Sequence, residues 1–316
     1  MGYVGNRGVH MDYIHLLGNQ AKPGLGDFQP RRPYPDFNQL LYDTFDGISS
    51  YNALTAKVTK RFSRNFQSLI SYTYSKVMDW NGGDTDFLNL VQNDNNPRAD
   101  YSLSDLNRKQ RLVISGIWQL PFGHGQAYLN SGRVTNALVG GWEFAGIISF
   151  QDGFPFTVFS NNDWSNTQST SPRPDRVCNG AGNQTVAEWF NTSCFSTTAL
   201  KAAFANNTPR FGNSGKNILT GPGLHQWDLS FIKKNQLTER LDLQLRVEFF
   251  NIFNRANFSN PGSTVQTSTA GQITGVSGTP RDILRRQTGL LRYTVVHSCF
   301  RPLASEFLKR KPDSKL

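Results

Sequence analysis

The amino-acid sequence predicts an all-β protein whose antiparallel strands form a transmembrane β-barrel with long extracellular loops. Three observations favour this fold. Apolar and polar residues alternate along successive segments, as they do in strands with one apolar face. The connections between these segments are alternately long and short. Nowhere do about 18 apolar residues follow one another, which excludes a membrane-spanning helix but not membrane-spanning strands.

The clearest alternation lies between Trp227 and Phe253, which we interpret as a β-hairpin. Its polar middle, Lys234–Glu239, is expected to form the turn. In the second strand, apolar residues occupy every other position: Leu241, Leu243, Leu245, Val247 and Phe249. The alternation persists for about nine residues, close to the ~9–11 that a tilted strand needs to cross a bilayer.

Five further strands are predicted before this hairpin. We place them at Gly2–Leu17, Tyr51–Phe62, Phe66–Ser75, Gln110–Phe122 and Trp142–Gln151. The connections then run long, short, long, medium, very long, short and long. Outer-membrane barrels have such sorting, with short turns on the periplasmic side and long loops outside. A soluble sandwich has no reason to sort its loops in this way.

The composition restricts the function. The formal net charge is +10, but Arg281–Leu316 contains nine Lys/Arg and three Asp/Glu and so supplies +6 of it. The rest of the chain has no basic run, and a nucleic-acid-binding surface would be a clustered stripe. The aromatic content of 12% suits aromatic girdles at membrane interfaces and equally suits a carbohydrate-binding β protein. We therefore expect no nucleic-acid partner.

Several stretches, in a fixed order over residues 2–280, carry a family resemblance. They are Tyr3-Val4-Gly5-Asn6-Arg7-Gly8, Tyr51-Asn52-Ala53-Leu54, Ser71-Tyr72-Thr73-Tyr74-Ser75-Lys76, Gly116-Ile117-Trp118-Gln119-Leu120-Pro121-Phe122-Gly123 and Arg246-Val247-Glu248-Phe249-Phe250-Asn251-Ile252-Phe253-Asn254. Together they resemble the C-terminal part of the barrel of TonB-dependent outer-membrane receptors. The nearest group is the Oar-like receptors, which carry a carboxypeptidase-regulatory-like domain.

The resemblance implies about eight strands of a larger barrel. It also implies active uptake of an unidentified extracellular substrate, driven through a plug domain and TonB. No plug, TonB-contacting segment or signal peptide is visible, so we expect Met1 to lie within a longer reading frame. Without a plug, coupled transport by this segment alone is not expected. Its two sheet edges would be unpaired in outer-membrane lipid, which predicts poor autonomous folding.

The end of the sequence departs from the family. Residues 1–280 are expected to form the barrel portion, whereas 281–316 are expected to hold a degraded last strand and a basic, non-native tail. Arg281-Asp282-Ile283 begins such a strand and Leu291-Arg292-Tyr293-Thr294 resembles its close. Between them, Leu284-Arg285-Arg286-Gln287 breaks the alternation.

Three groups of residues are candidates for a functional role. The polar residues expected to face the lumen are Arg111, Glu143, Asp228, Arg246 and Glu248. The aromatics expected in the girdles are Tyr72, Tyr74, Trp118, Trp142, Phe144, Phe150 and Trp227. Cys178 and Cys194 lie in the longest loop, and an extracellular loop favours a disulfide over two free thiols.

We expect no metal, no cofactor and no enzyme activity. His10 and His15 would lie on opposite faces of a strand and share no ligand. The acidic loop with Asp84, Asp86 and Asp94 lacks the glycine and later glutamate of a calcium loop, and we interpret it as a solvated extracellular loop. No nucleophile elbow or carboxylate pair is present.

Two other readings share the alternation. A secreted, soluble β protein could bind carbohydrate through exposed aromatics, and its apolar strand faces would then be buried. A passive porin would have the same barrel but no plug. Solubility without detergent would indicate the first, and the absence of a plug-encoding sequence upstream would favour the second.

Overall fold

The computed structural model describes residues 1–80, 91–129, 131–238, 241–277 and 292–298. Its main feature is one large sheet of long strands. These strands are β1 (Gly2–Gly18), β2 (Leu40–Ser63), β3 (Phe66–Asp79), β4 (Gln110–Gln119), β5 (Trp142–Gln151), β6 (Leu224–Thr238), β7 (Leu241–Phe249) and β8 (Arg292–Ser298). They pair in chain order, and every neighbouring pair is antiparallel.

The sheet is an open meander with β1 at one edge and β8 at the other. A short strand, Ser102–Leu103, also pairs with β3. The predicted all-β antiparallel barrel fragment is confirmed. The tight β2–β3 turn consists of Arg64 and Asn65, whose φ angles of 51° and 63° fit a type I′ hairpin turn.

The β1–β2 hairpin is longer than the sequence indicated. β2 begins at Leu40 rather than Tyr51, and residues 40–50 pair with residues 7–18 of β1. Bulges in this region shift the register between Gly8 and Met11, between Met11 and Tyr13, and between His15 and Gly18. Each bulge inserts one residue and breaks the two-residue alternation, which conceals the strand in the sequence.

The predicted turn at Lys234–Glu239 is wrong in its bounds. Lys234, Asn235 and Gln236 remain paired with Gln244, Leu243 and Asp242 of β7, and β6 continues to Thr238. Polar composition suggested a turn here, but polar residues are compatible with a paired strand near the end of a barrel wall, where side chains reach water.

The remaining elements are short and lie in the connections. The helices are α1 (Arg133–Val139) and α2 (Thr198–Ala205), and the 3₁₀ turns are Gln29–Arg31, Pro97–Asp100 and Thr192–Cys194. The two-residue strands are Pro155–Phe156, Phe159–Ser160, Asp175–Arg176, Phe195–Ser196, Leu219–Thr220 and Thr264–Val265. Within the described part of the chain, no helix is long and apolar enough to cross a membrane.

The long connections are packed together rather than extended into solvent. We call the described parts of residues 19–39, 80–109, 152–223 and 250–277 the loop layer. Its apolar core consists of Phe156, Val158, Phe190, Cys194, Phe195 and Val265. Asp84, Asp86 and Cys299 lie outside the described residues. Of 281–316, the description covers β8 alone, and the proposed domain division stays a prediction.

Candidate functional site

One face of the large sheet is apolar across every central strand. Cross-strand partners share a face, so the register shows which residues lie together. Two such rows are Ile70–Ile114–Ile148–Trp227 and Phe66–Trp118–Phe144–Phe231. In the described part of the protein no second sheet of long strands covers this face, and Leu245 is 42% exposed. The burial required by the soluble alternative is therefore not seen.

Aromatic side chains concentrate towards the two ends of the apolar face. Near the short turns lie Phe66, Trp118, Trp142, Phe144 and Phe231, and near the long loops lie Tyr72, Tyr74, Phe150 and Trp227. Along β4, Trp118 and Leu112 mark these two levels, about 20 Å apart along the strand. The predicted girdle aromatics thus share one face, in two bands. Their role as girdles stays a prediction.

The opposite face is the more polar one, with some apolar residues such as Val113 and Ile117, and it carries the five residues expected in the lumen. Asp228, Arg246 and Glu248 line one concave cavity of about 400 Å³. Arg246 Nη2 lies 2.6 Å from Glu248 Oε1. Arg111 pairs with Gln151 at one end of the β4–β5 ladder, and Glu143 pairs with Gln119 at the other end. The cavity lies between these two ends, so neither residue lines it.

A further cation lies on the polar face beside Glu143. Lys234 Nζ donates to both carboxylate oxygens of Glu143 at 3.0 Å, and Gln119 Nε2 donates to Oε1 at 3.0 Å. Sequence reasoning missed Lys234 because it placed this residue in the turn. The alternation of β6, continued three residues further, would have assigned it to the face of Asp228.

The loop layer covers the end of the polar face that lies nearest the long connections. Because the bulge between Gly8 and Met11 shifts the alternation of β1 by one residue, Tyr13 and His15 share the face of Thr55 and Ser71. Both side chains are buried and contact the carboxylate of Asp94, with His15 Nδ1 at 3.0 Å and Tyr13 Oη at 3.2 Å. Burial, aided by Asp94, raises the pKa of Tyr13 well above its ordinary range.

This contact corrects the interpretation of the acidic loop as solvated. Asp94 is buried, and Asn95 Nδ2 donates to Gln20 O at 3.1 Å. The ring of His15 stacks on Tyr42, whereas His10 is exposed and its Nδ1 lies 3.2 Å from Phe45 O. Among the described residues, no cluster of three His, Cys, Asp or Glu side chains could hold a metal ion.

Gln20 and Gln92 connect three of the loops. Gln92 donates from Nε2 to Gly212 O at 2.9 Å and accepts from Arg173 N at Oε1, also at 2.9 Å. Its backbone carbonyl accepts from Gln20 Nε2 at 3.2 Å and from Ser169 Oγ at 3.1 Å. Residues 19–39, 80–109 and 152–223 are therefore joined at one buried point.

Two buried ion pairs strengthen these connections. Arg173 donates to Asp100 through two bonds, at 2.6 and 2.8 Å, and both side chains are more than nine-tenths buried. Lys216 Nζ lies 3.5 Å from Asp79 Oδ1, and Asp79 extends from the polar face of β3. Burial raises the pKa of Asp79, although Lys216 opposes that shift.

The largest loop also has covalent and ionic support of its own. The structure joins Cys178 to Cys194 by a disulfide beside the apolar core. Arg210 donates to both oxygens of Asp175, at 2.9 and 2.6 Å. This hydrogen bonding is the main reason that the pKa of Asp175 lies below its ordinary value. Sequence reasoning identified the cysteines and missed the ion pair, for which no local pattern exists.

A protein-family comparison agrees with this geometry. A protein-family model described as "Outer membrane beta barrel domain" matches residues 1–287. Among solved structures, the chain is similar to the outer membrane transporter YddB from Escherichia coli, with a TM-score of 0.41 and 8% sequence identity. That similarity covers 87% of this chain and 28% of the transporter, so the chain spans under a third of its length. A search of curated proteins finds no match.

Proposed function

The chain belongs to the outer membrane beta-barrel domain family and lies in the bacterial outer membrane, and we propose that it forms part of a TonB-dependent receptor of the Oar-like group. In that receptor it supplies about the last eight strands of the barrel wall and the extracellular loops above them. A plug domain and TonB would be its functional partners. Its task would be uptake of an extracellular substrate without catalysis.

One observation supports this proposal above the others: the loops pack inward over the polar face. The loop contacts reach that face through Asp79 on β3 and through Tyr13 and His15 on β1. A loop layer fixed over the lumen is suited to binding a substrate before its passage. The cavity below it, where Asp228, Arg246 and Glu248 lie beside apolar residues such as Ile117 and Ile147, would accept either a substrate with polar and apolar parts or a plug surface.

The test is genetic, because the substrate is not identified. The locus that encodes the chain is deleted in its host, and uptake of a panel of labelled nutrients is compared with uptake in a strain lacking TonB. We expect at least one nutrient to be lost in both strains and restored in the first by the complemented locus. A nutrient that needs the locus but enters without TonB would contradict the proposal and indicate a passive porin.

A further inference from the structure

The connection between β4 and β5 differs from the tight β2–β3 turn at the same end of the sheet. It runs through residues 120–141 and contains the helix α1. It lies beside the β2–β3 turn, since Asn65 O accepts from Gln119 N at 2.8 Å and Asn65 Nδ2 donates to Gln126 Oε1 at 2.5 Å. The short turns of outer-membrane barrels lie on the periplasmic side, so α1 is at the periplasmic end.

The helix α1 presents apolar side chains that nothing in the described chain covers. Val134 is 73% exposed and Leu138 is 67% exposed. They are four residues apart and therefore lie on the same side of the helix. Asn136 lies on the opposite side, where its Oδ1 accepts from His124 N at 2.7 Å. The helix therefore has a polar side held against its own connection and an apolar side left free.

Two side chains from the lipid-facing side of the barrel wall hold the end of α1. Trp142 Nε1 donates to Leu138 O at 3.0 Å, and Lys233 Nζ donates to Gly140 O. Trp142 and Lys233 are cross-strand partners. They lie on the same face as the pair Phe144 and Phe231, two residues further along each strand. Both reach from the lipid-facing surface, so the carbonyl end of α1 lies on that side of the wall.

We propose that α1 is an interfacial anchor that inserts Val134 and Leu138 into the phospholipid leaflet on the periplasmic side. Its exposed apolar side continues the lipid-facing surface of the barrel, an interface that the outer-membrane location already establishes. Trp142 is of the residue type that concentrates at the level of lipid headgroups. Lys233 is buried beside it, with its ammonium 5.3 Å from the Trp142 ring, and so fixes the helix end against the wall.

The physical reason for lipid rather than water is the cost of leaving both side chains solvated. Moving a valine or leucine side chain from water into an apolar environment is favourable, because it removes apolar surface from water. A short helix beside the lipid-facing wall of the barrel can bury these side chains in lipid without contacting another protein. The same helix on the luminal side would be separated from lipid by the strands. This inference does not depend on TonB or on a plug.

Spin labels can measure the environment of α1 in the full protein in outer-membrane vesicles. Single cysteines are introduced as Val134→Cys and Leu138→Cys in a Cys299→Ser background. Val58→Cys on the apolar face, where Val58 is 62% exposed, is the lipid reference. His124→Cys, an exposed polar position in the same connection, is the water reference. Collision rates with oxygen and with a water-soluble nickel complex are then compared.

We expect the labels at positions 134 and 138 to match the Val58 reference, with an oxygen-to-nickel collision ratio several-fold above that at position 124. A ratio equal to that at position 124 would show a solvated helix and overturn the anchor. Low collision with both reagents would show a protein cover and overturn it as well. If the variants fail to insert, a photoactivatable phospholipid is applied to the unmodified protein. Cross-links should then map to residues 128–139, and their absence there would refute the proposal.

Discussion

Replacing Ile114 by arginine tests the assignment of the two sheet faces. Ile114 lies on the apolar face, in the row with Ile70, Ile148 and Trp227. It is four residues from Trp118, about 13 Å along the strand, which at a tilt of 35–45° gives a depth of about 10 Å below that aromatic level. An arginine near the middle of the lipid costs about 2–4 kcal/mol in such barrels.

The neighbouring substitution Val113→Arg is the matched control. Val113 pairs with Ser71 and Ser149 on the polar face, so the same charge would be solvated there and should cost less than about 1 kcal/mol. Both variants are followed by denaturant titration of the protein in lipid, with heat-modifiable gel migration reporting the folded fraction. Equal losses for the two variants, or a larger loss for Val113→Arg, would refute the assignment of the faces.

Three further predictions concern the loop layer. Asp100→Ala removes both charge-assisted hydrogen bonds of buried Arg173, which should destabilise the layer by about 3–5 kcal/mol and accelerate hydrogen exchange there at least about 100-fold. The contact of Asp175 with Arg210 lowers the pKa of Asp175 below 3.8, so its stabilisation is complete above that pH and lost as the pH falls through the lowered value. Proteolysis of the loop should therefore rise on acidification. Cys194→Ser should remove about 3 kcal/mol of loop stability, measured by limited proteolysis under oxidising conditions.

Each of these predictions has a control that isolates its cause. Combining Asp100→Leu with Arg173→Met should restore much of the stability, because an apolar pair leaves no buried charge. An unchanged exchange rate in Asp100→Ala would contradict the first prediction. For the second, Arg210→Gln should weaken the dependence on acid, and an unaltered profile would count against the ion pair. For the third, reducing agent should sensitise the unmodified protein and leave Cys194→Ser unaffected.

The sequence predicted the strands whose two-residue alternation is uninterrupted, and both of their faces. Leu243 to Phe249 in β7 illustrate this, because side-chain period alone determines which residues share a side. Alternation failed between Leu40 and Ser50, where a bulge between Thr44 and Gly47 shifts the phase. It also gave no information on the loop layer. Asp94 and Asp100 form contacts with residues that are distant in the chain, and no local composition distinguishes such residues from solvated acids.

Gln92 has a consequence for how the loop layer would open. Because its side-chain amide and its carbonyl are shared among three loops, detaching any one loop disrupts bonds that also hold the other two. Most of the free-energy cost of opening is then required to detach the first loop, and detaching the other two requires less free energy. Amide hydrogen exchange in the three loops should accordingly follow one shared opening step, rather than three separate opening rates.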